Sequence, residues 1–364
     1  MAEREKNVSA RSISCTLCGA VQRWDPASGS LLCDHCGERR EVPPGRASIE
    51  EIEVARGYAA GRDGFGLQTR SFVCARCGAR VSLGVELTAR RCTFCGSPQV
   101  TEEDDRDDLV RPAALIPMAV SEDEARRLFR RWIACRWFRP RALRRAHLGG
   151  LHGIYVPYWT FDALVFSSWT AQSGTYYWVS ESFTTFENGK PVVRTRQVRK
   201  IRWWPSSGTR TDRHDDVLVC GSRSLPPNLV AKLDTFRTAD LVPYRPEYLA
   251  GFFAERYAVG LPEAHRAARS RMEAVQAARC AGDVPGDTHR FLSVRNTFSQ
   301  ETYKHVLLPI WLLSYGFRKR TFRVLINGQT GEVEGEAPLS YLAIAVLIGG
   351  VLLIIAAVFF FVGS

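Results

Sequence analysis

The stretch "GIYVPYWTFDALVFSSWTAQSGTYYWV", Gly153 to Val179, holds nine aromatic residues and a single acidic one, Asp162. Aromatic and β-branched side chains are favoured where a pleated surface gives them neighbours, so the run reads as strand. It continues into "PVVRTRQVRKIRWW" (Pro191–Trp204) and "DDVLVCGS" (Asp215–Ser222), with the turn signals "ENGKP" and "PSSG" between the runs. This pattern predicts several antiparallel strands between Gly149 and about Val219.

Part of the stretch recurs. "IYVPYWTF" at 154–161 is echoed by "VLLPIWLL" at 306–313, the two sharing Pro-x-Trp at Pro157/Trp159 and Pro309/Trp311. Between them, "PPNLVAKLDTF", "PEYLAGFFAERYAV" and "PEAHRAARSRMEAVQAARCAG" each place a proline near the start of helically spaced apolar residues, which predicts three helices. After the echo, "FRKRTFRVLINGQTGEVEGE" carries the strand, Asn-Gly turn and strand of a hairpin. Residues 113–335 are therefore expected to form one α+β domain, two related β units around a helical insert. Core packing is the first role for the tryptophans; a groove for a peptide or lipid is the alternative.

Upstream, eight of eleven cysteines fall into four C-x-x-C pairs: Cys15/Cys18, Cys33/Cys36, Cys74/Cys77 and Cys92/Cys95. Both sets read C-x2-C-x14-C-x2-C, they recur at an offset of 59 positions, and a glycine follows every pair. Two residues between thiolates let both sulfurs reach one ion at about 2.3 Å, and glycine permits the tight backbone that wraps it. The spacing predicts two zinc ions, one held by Cys15, Cys18, Cys33 and Cys36, the other by Cys74, Cys77, Cys92 and Cys95. Iron in a rubredoxin-like site is the alternative metal. The polar start "MAEREKNVSARSIS" has no apolar core of a signal peptide, which argues against a disulfide framework. Each four-thiolate site carries a formal charge of about −2. Arg39, Arg40, Arg76, Arg80, Arg90 and Arg91 lie nearby, either to offset that charge or to meet a partner. The expected boundaries are a first ribbon over 1–45, a linker over 46–70, a second ribbon over 71–100, and an acidic linker over 101–112.

A helix is expected from Ser121, where "SEDE" places Glu124 three residues after a serine cap. Nine arginines lie from Arg126 to Arg145, and no acidic residue occurs from Ala125 to Phe161. Arg126, Arg127, Arg130 and Arg131 are the candidates for binding an anionic partner, with a solvated helix face as the plainer reading. The formal net charge of +11 points the same way without choosing among nucleic acid, anionic lipid and acidic protein. At the other end, Tyr341–Val362 is 22 residues without a charge. As a helix it would span roughly 33 Å, enough for a hydrocarbon core of about 30 Å. It is expected to be a C-terminal transmembrane anchor within 336–364. Arg318, Lys319, Arg320 and Arg323 upstream place the bulk of the chain in the cytoplasm by the positive-inside bias.

The chain contains no G-x-x-x-x-G-K-[ST], H-E-x-x-H, G-x-S-x-G or G-x-G-x-x-G, so the common nucleotide, metalloprotease and hydrolase engines are not indicated. His214, Asp215 and Asp216 in "RHDDVLV" form the best polar cluster, which a strand-entry turn explains without catalysis.

Taken together, "FVCARCGA…RRCTFCGS", "RWFRP", "LHGIYVPYWTFDA", "DDVLVCGS", "EYLAGFFAERYAV", "YKHVLLPIWLLSY", "INGQTGEVEGE" and the terminal apolar segment resemble a bacterial family of zinc-ribbon membrane proteins labelled replication-factor-Y-like or primosomal-helicase-like. The likeness covers about residues 71–362. It implies a C-terminally anchored ribbon protein that recruits soluble scaffold proteins in an envelope-stress assembly, and the helicase label has no motor motif behind it here.

The expectation is thus an α+β protein with two zinc ribbons and one transmembrane helix. It is expected to be a non-enzymatic, single-pass, tail-anchored adaptor at the cell membrane, its partners the bilayer and a cytoplasmic protein. The alternative is a nucleic-acid-binding ribbon protein tethered to the membrane.

Overall fold

The chain is described from a computed structural model. The residues described are 13–43, 49–57, 69–75, 80–84, 92, 94, 97, 100–103, 110–134, 148–187, 190–233, 235–317, 320–338, 347 and 349–350. Strands β1 (Gln22–Asp25), β2 (Ser30–Cys33) and β3 (Arg39–Glu41) form a small antiparallel sheet in the order β1-β2-β3. After β4 (Ile52–Glu53) and one turn of helix, α1 (Val54–Gly57), come β5 (Thr69–Cys74), β6 (Arg80–Gly84) and β7 (Val100–Glu103). The body then runs β8 (Ala114–Leu115), α2 (Glu122–Ala134), β9 (Leu148–Glu187), β10 (Lys190–Cys220), α3 (Pro227–Val230) and β11 (Val242–Pro243). It ends with β12 (Phe253–Glu255), α4 (Leu261–Asp283), β13 (Thr288–Phe317), β14 (Arg320–Asn327) and β15 (Val333–Gly335). The order β11-β8-β13-β9-β12-β6-β5-β7 makes one large curled sheet, with β10 on β9 and β14 on β13.

Three strands dominate it. β9 is 40 residues long, β10 is 31 and β13 is 30. The stretch expected to hold several strands is two continuous ones, because its apparent breakers are accommodated. Pro205 lies in β10, whose outer edge has no partner strand among the described residues, so its missing N–H costs no ladder bond. Gly208 lies beneath the Trp169 ring, where an added Cβ would come within 2.6 Å of it.

The expected α+β class is corrected to mostly β among the described residues. Of the three helices expected in the insert only the last forms at length, as α4. The first shrinks to Pro227–Val230. The second is cut at Gly251, whose φ of +86° suits glycine, and its "FAE" instead joins the sheet by pairing Phe253 with Ile154. The transmembrane helix is a second correction: no helix among the described residues is long and apolar enough to cross a membrane. The expected span lies outside those residues apart from Leu347, Gly349 and Gly350. An uncharged run measures transfer into hydrocarbon, which is a different quantity from the length of a helix. The anchor, the single-pass topology and the cell-membrane localisation rested on that helix and are not carried further.

The echo is a structural duplication. Val156 and its counterpart Leu308, 152 positions on, are paired directly in the β9–β13 ladder, so the two units meet about a local pseudo-dyad. β12 runs parallel to β9 at Ile154, and β8 runs parallel to β13 at the equivalent Val306. Each unit is thus a short strand, a helix and a hairpin: β8-α2-β9-β10 and β12-α4-β13-β14. "AVSEDEARR" before and into α2 is matched by "AVGLPEAHR" at α4. Trp159 Nε1 donates to Val259 O at 2.9 Å, and Trp311 Nε1 donates to Val120 O at 2.8 Å. Each Pro-x-Trp therefore ties its strand to the other unit's helix entry.

Both faces of the paired strands are covered. Ile154, Val156 and Tyr158 pack with Phe72, Phe94, Leu229 and Leu233, whereas Leu151 and Tyr155 pack with Phe129, Ile133 and Trp24. Further along, Trp159, Phe161 and Val165 lie against Ala264, Ala268 and Met272 of α4. The units differ in their hairpins. From Ile310 the β13–β14 ladder ends seven residues on at Phe317, but from the equivalent Tyr158 the β9–β10 ladder continues to Glu187.

Candidate metal centre and projecting arm

The first ribbon brings its four cysteines together. The Sγ atoms of Cys15, Cys18, Cys33 and Cys36 all lie within 4.8 Å of one another, with Cys15–Cys36 and Cys18–Cys33 both at 3.5 Å. Four sulfurs about 2.3 Å from one tetrahedral ion stand about 3.8 Å apart, so this donor set fits a metal. The local chain explains the convergence. Gly19 and Gly37, at φ +74° and +76°, return their N–H groups to Cys15 O and Cys33 O at 3.0 and 2.9 Å. One residue on, the chain closes each knuckle with Cys15 N–H to Ala20 O at 2.7 Å and Cys33 N–H to Glu38 O at 2.9 Å.

Backbone N–H groups also act on the sulfurs. The Cys36 N–H, helped by that of His35 and opposed by burial, brings the Cys33 thiol down to about 7. Burial, then the Glu38 carboxylate 2.6 Å away, pushes Cys15 up to about 12. Thr16 Oγ1 donates to the other Glu38 oxygen at 2.6 Å.

In the second expected site, Cys74 closes β5 and Cys92 is buried beside Phe94. Cys92 N–H donates to Ser97 O at 2.8 Å, the same five-residue bond that closes both knuckles of the first ribbon. Cys77 and Cys95 lie outside the described residues, as do Arg76, Arg90 and Arg91.

Trp24 seats the first ribbon on the body, with Val42 packed against the same cluster. Trp24 is buried, donates from Nε1 to Met118 O at 2.9 Å and meets Tyr248 edge-on at 4.8 Å. Its backbone N–H donates to Ala250 O at 3.0 Å.

The four candidate arginines of α2 are partly occupied. Arg126 donates from Nε to Glu122 at 3.1 Å and Arg127 pairs with Glu124, while Arg130 and Arg131 are exposed. The His214–Asp216 cluster is a bulge in β10 facing a lysine: Lys304 Nζ is 2.8 Å from Asp216, 3.1 Å from Glu51 and 3.9 Å from Asp162. Asp216 N–H donates to Asp162 at 2.6 Å. Burial raises the Asp162 carboxyl to about 6 against the pull of that N–H and of Lys304. The cluster holds two strand bulges together around one cation.

The element that no sequence motif marks is the arm. Beyond Gly174, where β13 begins to pair, β9 and β10 continue as a two-stranded ribbon to Glu187 and Lys190, about 40 Å at 3.3 Å per residue. Arginines lie over its rings: Arg199 over Tyr176 at 4.2 Å, Arg202 over Tyr177 and Arg196 over Phe183, both at 5.4 Å. Lys200 pairs with Glu181 at 2.8 Å. Trp178 and Phe186 are 66% and 73% exposed, far beyond what a strand buried in a body would show. The signal was present in the alternation of "PVVRTRQVRKIRWW", read in register with "TYYWVSESFTTF" across the Asn-Gly pair.

No family model matches the chain, and no solved structure matches it. Over 346 aligned residues, 93% of this chain and 94% of the relative, it is 25% identical to a protein of Bacillus subtilis (strain 168) named as uncharacterized protein YdjG, the likeness running nearly end to end in both.

Proposed function

We propose that the protein is a non-catalytic adaptor that binds nucleic acid through its projecting β9–β10 arm, with metal-bound ribbons bracing the body. The carrying observation is the asymmetry of the duplication. The second unit closes its hairpin within seven residues of Ile310, so the fold does not need the long extension of the first. What the extension adds is exposed rings interleaved with arginines, the composition of single-strand and groove-binding surfaces.

In this reading both ribbons hold zinc: Cys15, Cys18, Cys33 and Cys36 bind one ion, and Cys74, Cys77, Cys92 and Cys95 the other. Closed four-cysteine sites leave no coordination position for substrate, so their work is structural. Two of the four arginines on α2 already have carboxylate partners, which makes the arm the stronger basic element.

The test is fluorescence anisotropy with labelled single-stranded and duplex oligonucleotides, comparing the full chain with a variant in which Asn-Gly joins Tyr177 directly to Lys200. The full chain should bind with an affinity that falls log-linearly with salt, and the short-armed variant, at unchanged metal content, should lose it. Equal binding by the two proteins, or no binding by either at about 50 mM salt, overturns the proposal.

A further inference from the structure

The arm has two faces, and they differ in charge. Successive strand residues alternate between faces, and directly paired residues share one. One face takes the even positions of β9 from Leu164 to Phe186 and their partners on β10, from Arg213 back to Pro191. On β13 it takes Thr288 and Arg290 and then, past the bulge, Ser293 to Ser299 at alternate positions. Not one of these positions is Asp or Glu. The opposite face carries Glu181 and Asp212, and α4 covers its root through Cys280 and Val284 against Trp169 and Ala171.

The carboxylate-free face is open along its length, roughly 70 Å at 3.3 Å per residue. Phe166, Trp178 and Phe186 stand exposed along it. Near its middle Arg290 lies 4.2 Å over the Trp203 ring and donates from Nε to Gln172 at 2.8 Å. Trp203 and Ile201 lie against Gly174, where an added Cβ would come within 2.8 Å of each. The carboxylate beside the strands at this point, Asp287, accepts from the backbone N–H of Tyr176 at 2.7 Å. Between the rings the face presents hydroxyls, among them Thr170, Ser207, Thr209 and Thr297.

We infer that this face is a platform for a single nucleic-acid strand, its bases stacked on the exposed rings and its phosphates met by arginines and hydroxyls. The inference rests on the nucleic-acid reading above and adds the form of the ligand and the face that takes it. Exposed rings on an open sheet stack unpaired bases, which a duplex keeps inside its own stack. The absence of any carboxylate removes repulsion from phosphate, and arginine both stacks and donates.

The experiment uses the full-length, metal-loaded protein with a labelled unstructured 20-nucleotide strand, the matching duplex, and vesicles of anionic and zwitterionic lipid. The single strand should bind at least tenfold tighter than the duplex, with quenching of tryptophan fluorescence. Trp178→Ala and Phe186→Ala should each weaken it about tenfold. Thr184→Glu and Thr185→Glu add the same charge to opposite faces of one strand. The first should weaken binding at least fivefold more than the second, with metal content and thermal midpoint unchanged in both. Equal affinity for strand and duplex, or equal effects of the two glutamates, overturns the platform while leaving nucleic-acid binding in place. Binding to vesicles and to no nucleic acid overturns both and assigns the face to lipid.

Discussion

Replacing Trp24 by alanine should detach the first ribbon from the body while leaving its metal in place. Trp24 is 5% exposed. A tryptophan that buries up to 250 Å² contributes about 6 kcal/mol at 25 cal/mol per Å², or about 4 kcal/mol when the unfolded chain is allowed its own burial. The Nε1 bond to Met118 O adds about 1 kcal/mol, which places the total near the 3–5 kcal/mol typical of core tryptophan truncations. A loss of that size shifts the docking equilibrium by about three orders of magnitude. The cysteines are held by the ribbon's own knuckle bonds, so the ribbon should remain closed around the ion proposed for it.

Hydrogen exchange read by mass spectrometry separates the outcomes. Protection should fall in residues 13–43, in Met118 and Val120, and in 244–252, while α4 and the β9–β13 ladder keep theirs. Metal analysis of the same sample should be unchanged. Unaltered protection of 13–43 would show that Trp24 does not seat the ribbon. Loss of metal along with protection would show that the ribbon closes only when docked, and the reasoning from its local knuckle bonds would fail.

Three further outcomes follow from the same geometry. Cys33→Ser should remove one metal equivalent of the expected two zinc and leave the other, measured by elemental analysis; loss of both would make the sites interdependent. Trp159→Phe and Trp311→Phe keep one ring but remove the N–H and part of the buried indole volume, so each should cost about 2–5 kcal/mol by stranding Val259 O or Val120 O and leaving a small cavity, with near-equal values in urea unfolding; a strongly unequal pair would break the functional equivalence of the two units. Burial raises the Glu255 carboxyl to about 7 against the hydrogen bonds of Ser224 and Ser222. A folded value above the unfolded one means that stability is lost as pH rises from about 4.5 to 7. Glu255→Gln should therefore gain more at pH 8 than at pH 5, and equal gains at both would refute the shift.

The cysteine spacing named the four residues of the first ribbon's sulfur cluster, because such geometry is local: two residues and a glycine decide each knuckle. The duplication was legible only as Pro-x-Trp. The rest of it, "AVSEDEARR" against "AVGLPEAHR", is diluted by differing surface residues, and its meaning depends on Trp159 and Trp311 reaching carbonyls 100 and 191 positions away. Strand length was misread for a physical reason. Proline and glycine mark turns where a ladder continues on both sides, but Pro205 faces an unpaired edge and Gly208 makes room for Trp169. The "EYLAGFFAERYAV" helix failed because helical spacing and a short interior strand buried on both faces place apolar residues alike over so short a run. Pairing with Ile154 and Tyr155 then decided it.

The placement of α4 bears on why the arm's two faces differ. α4 is 23 residues long and its counterpart α2 is 13, and the additional turns run out along the arm to Cys280 and Val284, under Trp169 and Ala171. One face of the arm's root is thus braced by the same helix that closes the body, and the ion pairs of Arg210 and Arg279 with Asp212 gather on that side. An arm that served only to extend the core would carry either a second cover or the mixed charges of an ordinary solvated sheet. The other face has neither: no described element packs over Phe166 or Trp178, and acidic residues are missing from all three strands there. Bracing one side fixes the twist and position of the sheet at its root. The uncovered side is then held ready at little ordering cost when a ligand binds, which is what a recognition surface requires.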